Sequence, residues 1–427
     1  MGVIIEREDS AASEDADGET RATGDNQTTA HQPVSPALVL TATVVAMVVA
    51  VVPVFLASAL TLPIRAEFGF GSAQLGTAVS LYFAASAVAM VFLGRVVQRV
   101  GARMGIRFGG IMVALSCLTI ATLATGWGGL AFGLMLAGVG NGLLQPGANL
   151  ALGRGTPAHL QGRFFGAKQA AVPLAAMLAG GSVPVVATLV GWRSAFIGAS
   201  ALAAGLAILV PPFDRPHAVR RSAKKAKPAS ATPASQRLYL PPLLLLAGAS
   251  FFGSGVGNSV AAFLVETLVA SGWAETGAGT LLFVASLSAV IVRLGVGVQV
   301  DRRDHIGLPG IAVLMGIGTV GLVMIAFQPV PLLMIVAALL AFGAGWGWPG
   351  LFHLAMVRDN SHAPATASGI GLAGMSLGGV VGPFTLGYLI ENVSYRAAWL
   401  VGAAGLVASI MFVMASHHVS QSRRSEP

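Results

Sequence analysis

The pentapeptide Trp192-Arg193-Ser194-Ala195-Phe196 returns near the end of the chain as Tyr395-Arg396-Ala397-Ala398-Trp399, 203 residues later. Both copies follow the order aromatic, Arg, small residue, Ala, aromatic, and both lie beside a long apolar run. The same offset aligns further pairs without a gap, among them Gly94 with Gly297, Arg99 with Arg302 and Pro146 with Pro349. A Gly-rich sequence supplies some pairs by chance, but not Arg and Pro pairs in one register. The chain therefore contains two halves of common design.

The amino-acid composition indicates that most of the protein surface contacts lipid rather than water. Of the 427 residues, 55% are hydrophobic and only 10% are charged, with a mean hydropathy of +0.77, whereas a soluble protein carries about 25% charged residues. A membrane-spanning helix needs about 20 apolar residues. Twelve runs meet that need: 37–60, 75–94, 104–124, 127–151, 164–187, 191–212, 241–269, 277–298, 307–328, 331–356, 365–390 and 397–415. We predict an all-α membrane protein with twelve transmembrane helices.

The repeat divides these spans into two pseudo-symmetric six-helix bundles, 37–212 and 241–415. Six crossings return the chain to its starting side, so the halves are parallel repeats that enclose a site near the membrane midplane. Residues 213–240 are basic and lack apolar periodicity, which is typical of a flexible linker. We expect an acidic, disordered tail at 1–36 and a second short tail at 416–427.

The distribution of positive charge predicts the orientation, because Lys and Arg favour cytoplasmic loops. With the N-terminus inside, the inner loops hold Arg95, Arg99, Arg103, Arg107, Arg154, Arg163, Arg302, Arg303 and Arg358, besides the basic linker. The outer loops then hold only Arg65, Arg193 and Arg396. We expect a multi-pass protein of the plasma membrane with both termini in the cytoplasm. The net charge of +8 follows from this topology and requires no nucleic-acid partner.

Two segments resemble the loop signature of the major facilitator superfamily, G-x-x-x-D-R-x-G-R-R. The second half has "GVQVDRR" at 297–303, and the first half has "GRVVQRVGAR" at 94–103, with Gln98 in the place of the usual Asp. The resemblance covers 37–415 and implies the twelve-helix fold of that family and transport by alternating access. It also implies that Gly94, Arg99, Gly297, Asp301 and Arg302 pin neighbouring helices at the cytoplasmic side. We expect Pro146 and Pro349 to act as bending points.

Two differences from the drug/proton antiporters of this family narrow the choice among its transporter branches. The first span has no charge, and Leu134 stands where those antiporters have Arg. The segments 162–173 and 345–355 look more like cyanate and nitroimidazole permeases. Arg293, which opens "RLGVG", is similar to the Arg of oxalate/formate and monocarboxylate carriers. A small organic anion is therefore the first hypothesis, and efflux of a neutral or lipophilic compound is the alternative.

Polar and aromatic side chains inside the spans are candidates for substrate binding, since such groups face the bundle interior by default. The candidates are Tyr82, Asn141, Gln145, Lys168, Asn258, Arg293, Trp346, Trp348 and His353. Asn141 and Gln145 share one helix face at i and i+4, where hydrogen bonding between helices is the alternative. Lys168 lies a few residues into its helix, and we expect its ammonium to reach the inner surface. The two tryptophans form either an aromatic wall or a packing contact.

Among these candidates, Arg293 gives the most specific hypothesis for substrate binding. It lies eight residues before Asp301, about 12 Å above the inner end of its helix. Its planar fork suits a carboxylate, and the alternative is a buried pair with Glu266 or Asp301. Repeat packing does not demand an arginine here, because its counterpart in the first half is Met90.

Proton coupling, if the transporter uses it, is assigned to Glu266 or His353, the acidic and imidazole groups inside the predicted spans. The expected partners are a small solute, a coupled proton or counter-solute, and the lipid bilayer, and the expected state is a monomer. No catalytic, metal or cofactor motif is present in the sequence. An enzyme is therefore disfavoured, and so is a non-transporting sensor, which would need an output domain.

Overall fold

A computed structural model describes residues 35–155, 161–213, 240–302, 307–328, 330–359 and 364–424. The described chain is helical throughout, with no strand in these ranges. The helices are α1 Pro36–Ala59, α2 Thr61–Phe68, α3 Ser72–Val100, α4 Ala102–Thr122, α5 Trp127–Gly155, α6 Gln161–Val185, α7 Trp192–Leu209, α8 Leu240–Ala270, α9 Glu275–Arg302, α10 Leu308–Ala326, α11 Pro331–Gly343, α12 Pro349–Asp359, α13 Pro364–Asn392 and α14 Tyr395–Arg424. A five-residue π-helix, Val186–Val190, follows α6.

Within these ranges, ten helices are long and apolar enough to cross a membrane. The 25-residue α6 and the α11–α12 pair complete the twelve predicted crossings. The predicted fold class is therefore confirmed. The acidic tail lies outside the described residues up to residue 34, and the linker does so from 214 to 239, so their predicted disorder stays a prediction.

The tenth span differs from its prediction. Residues 331–356 were expected to form one helix, but α11 ends at Gly343, five residues form turns, and α12 begins at Pro349. The sequence between them is Ala-Gly-Trp-Gly-Trp. Glycine is a poor helix former, and proline at the first position of a helix starts a new one well. The helix is interrupted just before Pro349, whereas its counterpart Pro146 lies inside the continuous helix α5; the role of both prolines as bending points stays a prediction.

The repeated pentapeptide has one structural role in both halves. Arg193 donates from Nε to the carbonyl of Ala121 at 3.0 Å and from Nη2 to that of Ala124 at 3.2 Å, at the C-terminal end of α4. In the second half, the Arg396 guanidinium lies 5.1 Å from the ring centroid of Phe327, at the end of α10. Phe327 is the residue that the 203-residue offset aligns with Ala124. Each arginine therefore reaches the end of the third helix of its own half.

The two halves meet through α3 with α13 and α6 with α9. The 203-residue offset converts α3 into α9 and α6 into α13, so the two contacts are equivalent and the internal symmetry is two-fold. The approach is close: a Cβ on Gly76 would collide with the carbonyl of Pro383. A Cβ on Gly180 would lie 2.8 Å from the carbonyl oxygen of Gly279.

The bundle has two ends, which we name by the segments found there. The linker end carries the α3–α4 turn at Gly101 and the C-terminal end of α7, where the linker begins. The latch end carries α2, the end of α8 and the start of α14.

Candidate substrate site

Lys168 occupies the interior and not the surface. Its side chain on α6 is 4% exposed, and Nζ donates to Oε1 of Gln145 at 3.0 Å and to Oδ1 of Asn149 at 2.5 Å, both on α5. The expected extension to the inner surface is therefore wrong for this structure. Amide oxygens one helical turn apart offer the ammonium two acceptors in the interior, and the sequence stripe on α5 supplies them.

Arg293 on α9 is also 4% exposed, and backbone carbonyls receive its hydrogen bonds. Nε and Nη2 donate to the carbonyl of Trp346 at 3.1 and 2.7 Å, and Nη1 donates to the carbonyl of Gln169 at 2.6 Å. The guanidinium also lies 5.3 Å from the ring centroid of Trp346, within the range of a cation–π contact. One side chain thus connects α9, the turn between α11 and α12, and α6 of the other half.

Glu266, one suggested partner of Arg293, is bound elsewhere. Its carboxylate is 2% exposed and accepts from Nη1 of Arg65 at 2.9 Å, from the hydroxyl of Ser72, and from the hydroxyl of Tyr395 at 3.2 Å. The side chain of Asp301 lies outside the described residues. Among the side chains that the structure describes, neither Arg293 nor Lys168 is paired with a carboxylate.

His353 on α12 lies next to this group. Its Nδ1 is 2.9 Å from the carbonyl oxygen of Pro349 and 3.5 Å from Nε2 of Gln169. A carbonyl only accepts, so Nδ1 carries the proton in the bond to Pro349. When the ring carries a single proton, Nε2 is then an acceptor. The structure thus brings Gln145, Lys168, Arg293, Trp346 and His353 together, as parts of one cluster that spans both halves.

The other candidates contact protein groups in this conformation, either on a neighbouring helix or within their own helix. Tyr82 is fully buried and donates to the carbonyl of Ala50 at 2.8 Å. Asn141 donates to Ser86 at 2.8 Å, and Asn258 donates to Ser254 at 3.1 Å. Trp348 is fully buried, and its ring fills the space beside Gly253. Their predicted contact with substrate stays a prediction.

The latch end holds contacts between the halves that were not predicted from the sequence. Glu266 binds Arg65, which follows α1 of the first half and which the sequence suggested was a loop charge. Glu391 accepts from the backbone N–H of Ala73, at the first turn of α3, at 2.7 Å. Two carboxylates of the second half thus bind the first half, and we name this set of contacts the latch. Tyr395, the first residue of the repeated pentapeptide, belongs to it.

A family model confirms the resemblance seen in the sequence. The model described as the Major Facilitator Superfamily matches residues 37–370 and 250–427. The chain belongs to this superfamily. It is a multi-pass membrane protein and a secondary transporter rather than an enzyme.

Two solved structures of the superfamily share the fold. A bacterial homologue of the human lysosomal transporter Spinster, in an inward-facing and occupied conformation, has a TM-score of 0.65 and 15% identity; the match covers 90% of this chain and 97% of that one. A D-xylose–proton symporter has a TM-score of 0.71 and 16% identity, covering 88% and 96%. At such identities the similarity shows the fold, and it identifies neither a substrate nor the cyanate or oxalate branch.

The signature loops of the superfamily are only partly described. Gly94 faces Pro146, whose Cγ would lie 3.7 Å from an added Cβ, and Arg99 is exposed at the linker end. The side chains of Gly297, Asp301 and Arg302 lie outside the described residues. Their expected role in pinning the helices stays a prediction.

A separate cavity of about 300 Å³ lies between α8, α13 and α14. Its lining is apolar apart from Thr385 and includes Phe251, Phe252, Gly255, Gly382 and Gly402. No residue of the polar cluster around Arg293 lines this cavity, so the cavity and the polar cluster are two separate candidate sites. We place the candidate site at the polar cluster, because specificity for a polar solute needs hydrogen-bonding groups.

Proposed function

We propose that this transporter carries a small organic anion, which binds between the halves at Arg293, Lys168 and His353. The observation that supports this is the burial of two cationic side chains, one from each half, whose described partners are neutral oxygens. Neutral dipoles solvate a cation without cancelling its charge. An anion that enters the cluster supplies the missing charge.

The free-energy cost of burying an unpaired charge favours a bound anion at this cluster. A buried charge left without its partner costs about 3–5 kcal/mol, and ionisable groups inside membrane proteins pair or mark solute pathways. The guanidinium of Arg293 offers a planar fork, and the ammonium of Lys168 offers a point charge. The side-chain amides of Gln145 and Gln169 contact Lys168 and His353 and add hydrogen-bonding groups to the cluster. This set fits a carboxylate or a similar planar anion.

Proton coupling through Glu266 or His353 belongs to the same proposal. His353 touches Gln169 of the cluster, and Glu266 closes the latch, so a proton at either position changes the charge at a moving contact. We expect pH-driven uptake to fall at least tenfold in the Glu266→Gln/His353→Gln variant. Equal accumulation in the wild type and the double variant would remove both residues from coupling.

The test of anion transport uses Arg293→Lys and Arg293→Gln, with uptake of formate, oxalate and cyanate into proteoliposomes. We expect the Lys variant to transport poorly, because the two-point fork is lost while the charge remains, and the Gln variant not to transport. Arg107→Gln is the matched control, since Arg107 also donates to a backbone carbonyl, that of Ala207 at 3.0 Å, but lies at the linker end. A folded Arg293→Gln protein that transports like the wild type would overturn the proposal.

The apolar cavity supports a second candidate, transport of a neutral or lipophilic compound. Its glycines leave space between α8, α13 and α14 that an apolar molecule can fill. Gly402→Leu would place a side chain in that space. Reduced efflux of lipophilic compounds by this variant, with unchanged uptake of anions, would favour the second candidate.

A further inference from the structure

Two backbone carbonyls hold Arg293: that of Gln169, four residues before Pro173 in α6, and that of Trp346, in the turn before α12. In an α-helix the carbonyl of residue i accepts from the N–H of residue i+4. Proline has no N–H, so the carbonyl four residues earlier is left without its helical donor. In a membrane, another group of the protein must satisfy it.

Gln169 is such a residue. The helical partner of its carbonyl is position 173, and Pro173 lies inside α6. Nη1 of Arg293 reaches this carbonyl from α9 at 2.6 Å. The bond therefore joins the two halves directly, and it uses an acceptor that the helix of the first half leaves free.

Trp346 supplies the second acceptor. Its carbonyl lies in the turn between α11 and α12, three residues before Pro349, the first residue of α12. Because the helix is interrupted here, this carbonyl has no helical donor. Nε and Nη2 of Arg293 donate to it instead. These two donors tie Arg293 to its own half, so the bond to Gln169 is the one that differs when the halves move apart.

We propose that Pro173 is a positioning residue for substrate binding: it frees the Gln169 carbonyl, which accepts from Nη1 of Arg293 in this conformation. This inference rests on the proposed anion site. Three of the five N–H donors of Arg293 are used in these bonds. A carboxylate that takes the donor bound to Gln169 displaces this carbonyl, and the displacement breaks a bond between the halves. Substrate binding and movement of the halves are then coupled through one hydrogen bond.

The experiment restores the missing donor with Pro173→Ala, so that residue 173 can satisfy the Gln169 carbonyl within α6. The readout is the rate at which phenylglyoxal, a reagent for guanidinium groups, modifies Arg293 in the purified full-length protein, followed by peptide mass spectrometry. We expect the rate to rise about tenfold, the scale of one hydrogen bond to a charged group. Pro53→Ala is the matched control, because Pro53 lies inside the transmembrane helix α1 and leaves the carbonyl of Val49, not that of Gln169, without its helical donor; the rate of Arg293 modification in this variant should equal that of the wild type.

A merely structural role for Pro173 predicts a different result. Replacing proline by alanine in a helix favours the helix, so thermal stability would rise while Arg293 stayed as protected as before. An unchanged modification rate in Pro173→Ala would overturn the inference. This outcome is independent of the Arg293→Gln transport assay: failure there removes the proposed anion function, whereas failure here leaves it standing and removes only the role of Pro173.

Discussion

Three arginines that the structure describes donate to backbone carbonyls. Arg193 binds the end of α4, Arg107 binds the carbonyl of Ala207 in the last turns of α7, and Arg293 binds the interrupted tenth span. Carbonyls at helix ends lack donors, and a guanidinium supplies several in a fixed geometry. Of these three, Arg293 is the most deeply buried, and there the same donors also suit a substrate.

Glu67 at the latch end provides a prediction on pH. Hydrogen bonds from Arg193 and Trp192 lower the pKa of Glu67 below its ordinary 4.5. A lowered pKa in the folded state contributes stability above the unfolded pKa, and this contribution is lost as the pH falls through the folded value. Glu67 is 43% exposed, so the contribution is below about 1 kcal/mol. We expect Glu67→Gln to lower the thermal midpoint at pH 7 and to have little effect at pH 3.

The position of Arg293 could be predicted from the sequence, but its partners could not. Its depth follows from counting along one helix, whereas its acceptors lie 53 and 124 residues away in the chain. The proline four residues after Gln169 was the local signal, since it leaves a carbonyl free. The predicted position of the Lys168 ammonium was wrong for the same reason. Its distance from the helix end could be counted along the sequence, but the amides of α5 that bind it could not be identified as its partners.

At the scale of elements, the two halves differ between α5 and its counterpart, the α11–α12 pair. Pro146 and Pro349 are equivalent, yet only the second coincides with a break. The first half has Leu143 and Leu144 where the second has Trp346 and Gly347. Leucine favours a helix and glycine opposes it, so α5 remains continuous around its proline. The break exists in the half that carries the buried arginine.

Close helix contacts yield a prediction on stability. Gly76→Ala would drive a Cβ into the carbonyl of Pro383, between α3 and α13, and we expect a loss of about 1–3 kcal/mol. Gly198→Ala is the control, because the space around Gly198 in α7 is open and alanine favours a helix. Thermal unfolding in detergent measures both. Equal midpoints for the two variants would contradict the close approach of α3 and α13.

At the scale of the molecule, hydropathy predicted the twelve crossings, because each crossing must satisfy its own backbone in lipid. The contacts between crossings could not be predicted in this way. The latch joins residues of α2, α3, α8, α13 and α14, and nothing in a single apolar run identifies its neighbours. The offset of the repeat was the exception, since it relates α3–α13 to α6–α9.

The latch predicts the response of the whole transporter. Glu266→Gln removes the ion pair with Arg65, and a bond present in one state stabilises that state. We expect the population with separated latch ends to increase several-fold. Spin labels at Thr125 and Ser394, exposed at the latch end in the two halves, report the distance by pulsed electron paramagnetic resonance. The Arg65→Gln variant should give the same shift, and a distribution unchanged in both would refute the role of the latch.

The orientation in the membrane is tested by cysteine labelling. With Cys117, the single cysteine of the sequence, replaced by Ala, an impermeant maleimide should label a cysteine at Thr125 in intact cells. A cysteine at Ser420, near the linker end, should react only after permeabilisation. Labelling of position 420 in intact cells would reverse the predicted topology.

The latch also constrains how the duplication can have arisen. Position for position, the second half has Leu268 where the first has Arg65, and Glu275 where the first has Ser72. A homodimer of two second halves would therefore turn Glu266 toward another acid and offer it no arginine. An ancestral symmetric pair of second halves would lack the Glu266–Arg65 ion pair, so this pair belongs to the divergence of the two halves. Expressed as separate polypeptides, the present halves should assemble with each other and not with themselves.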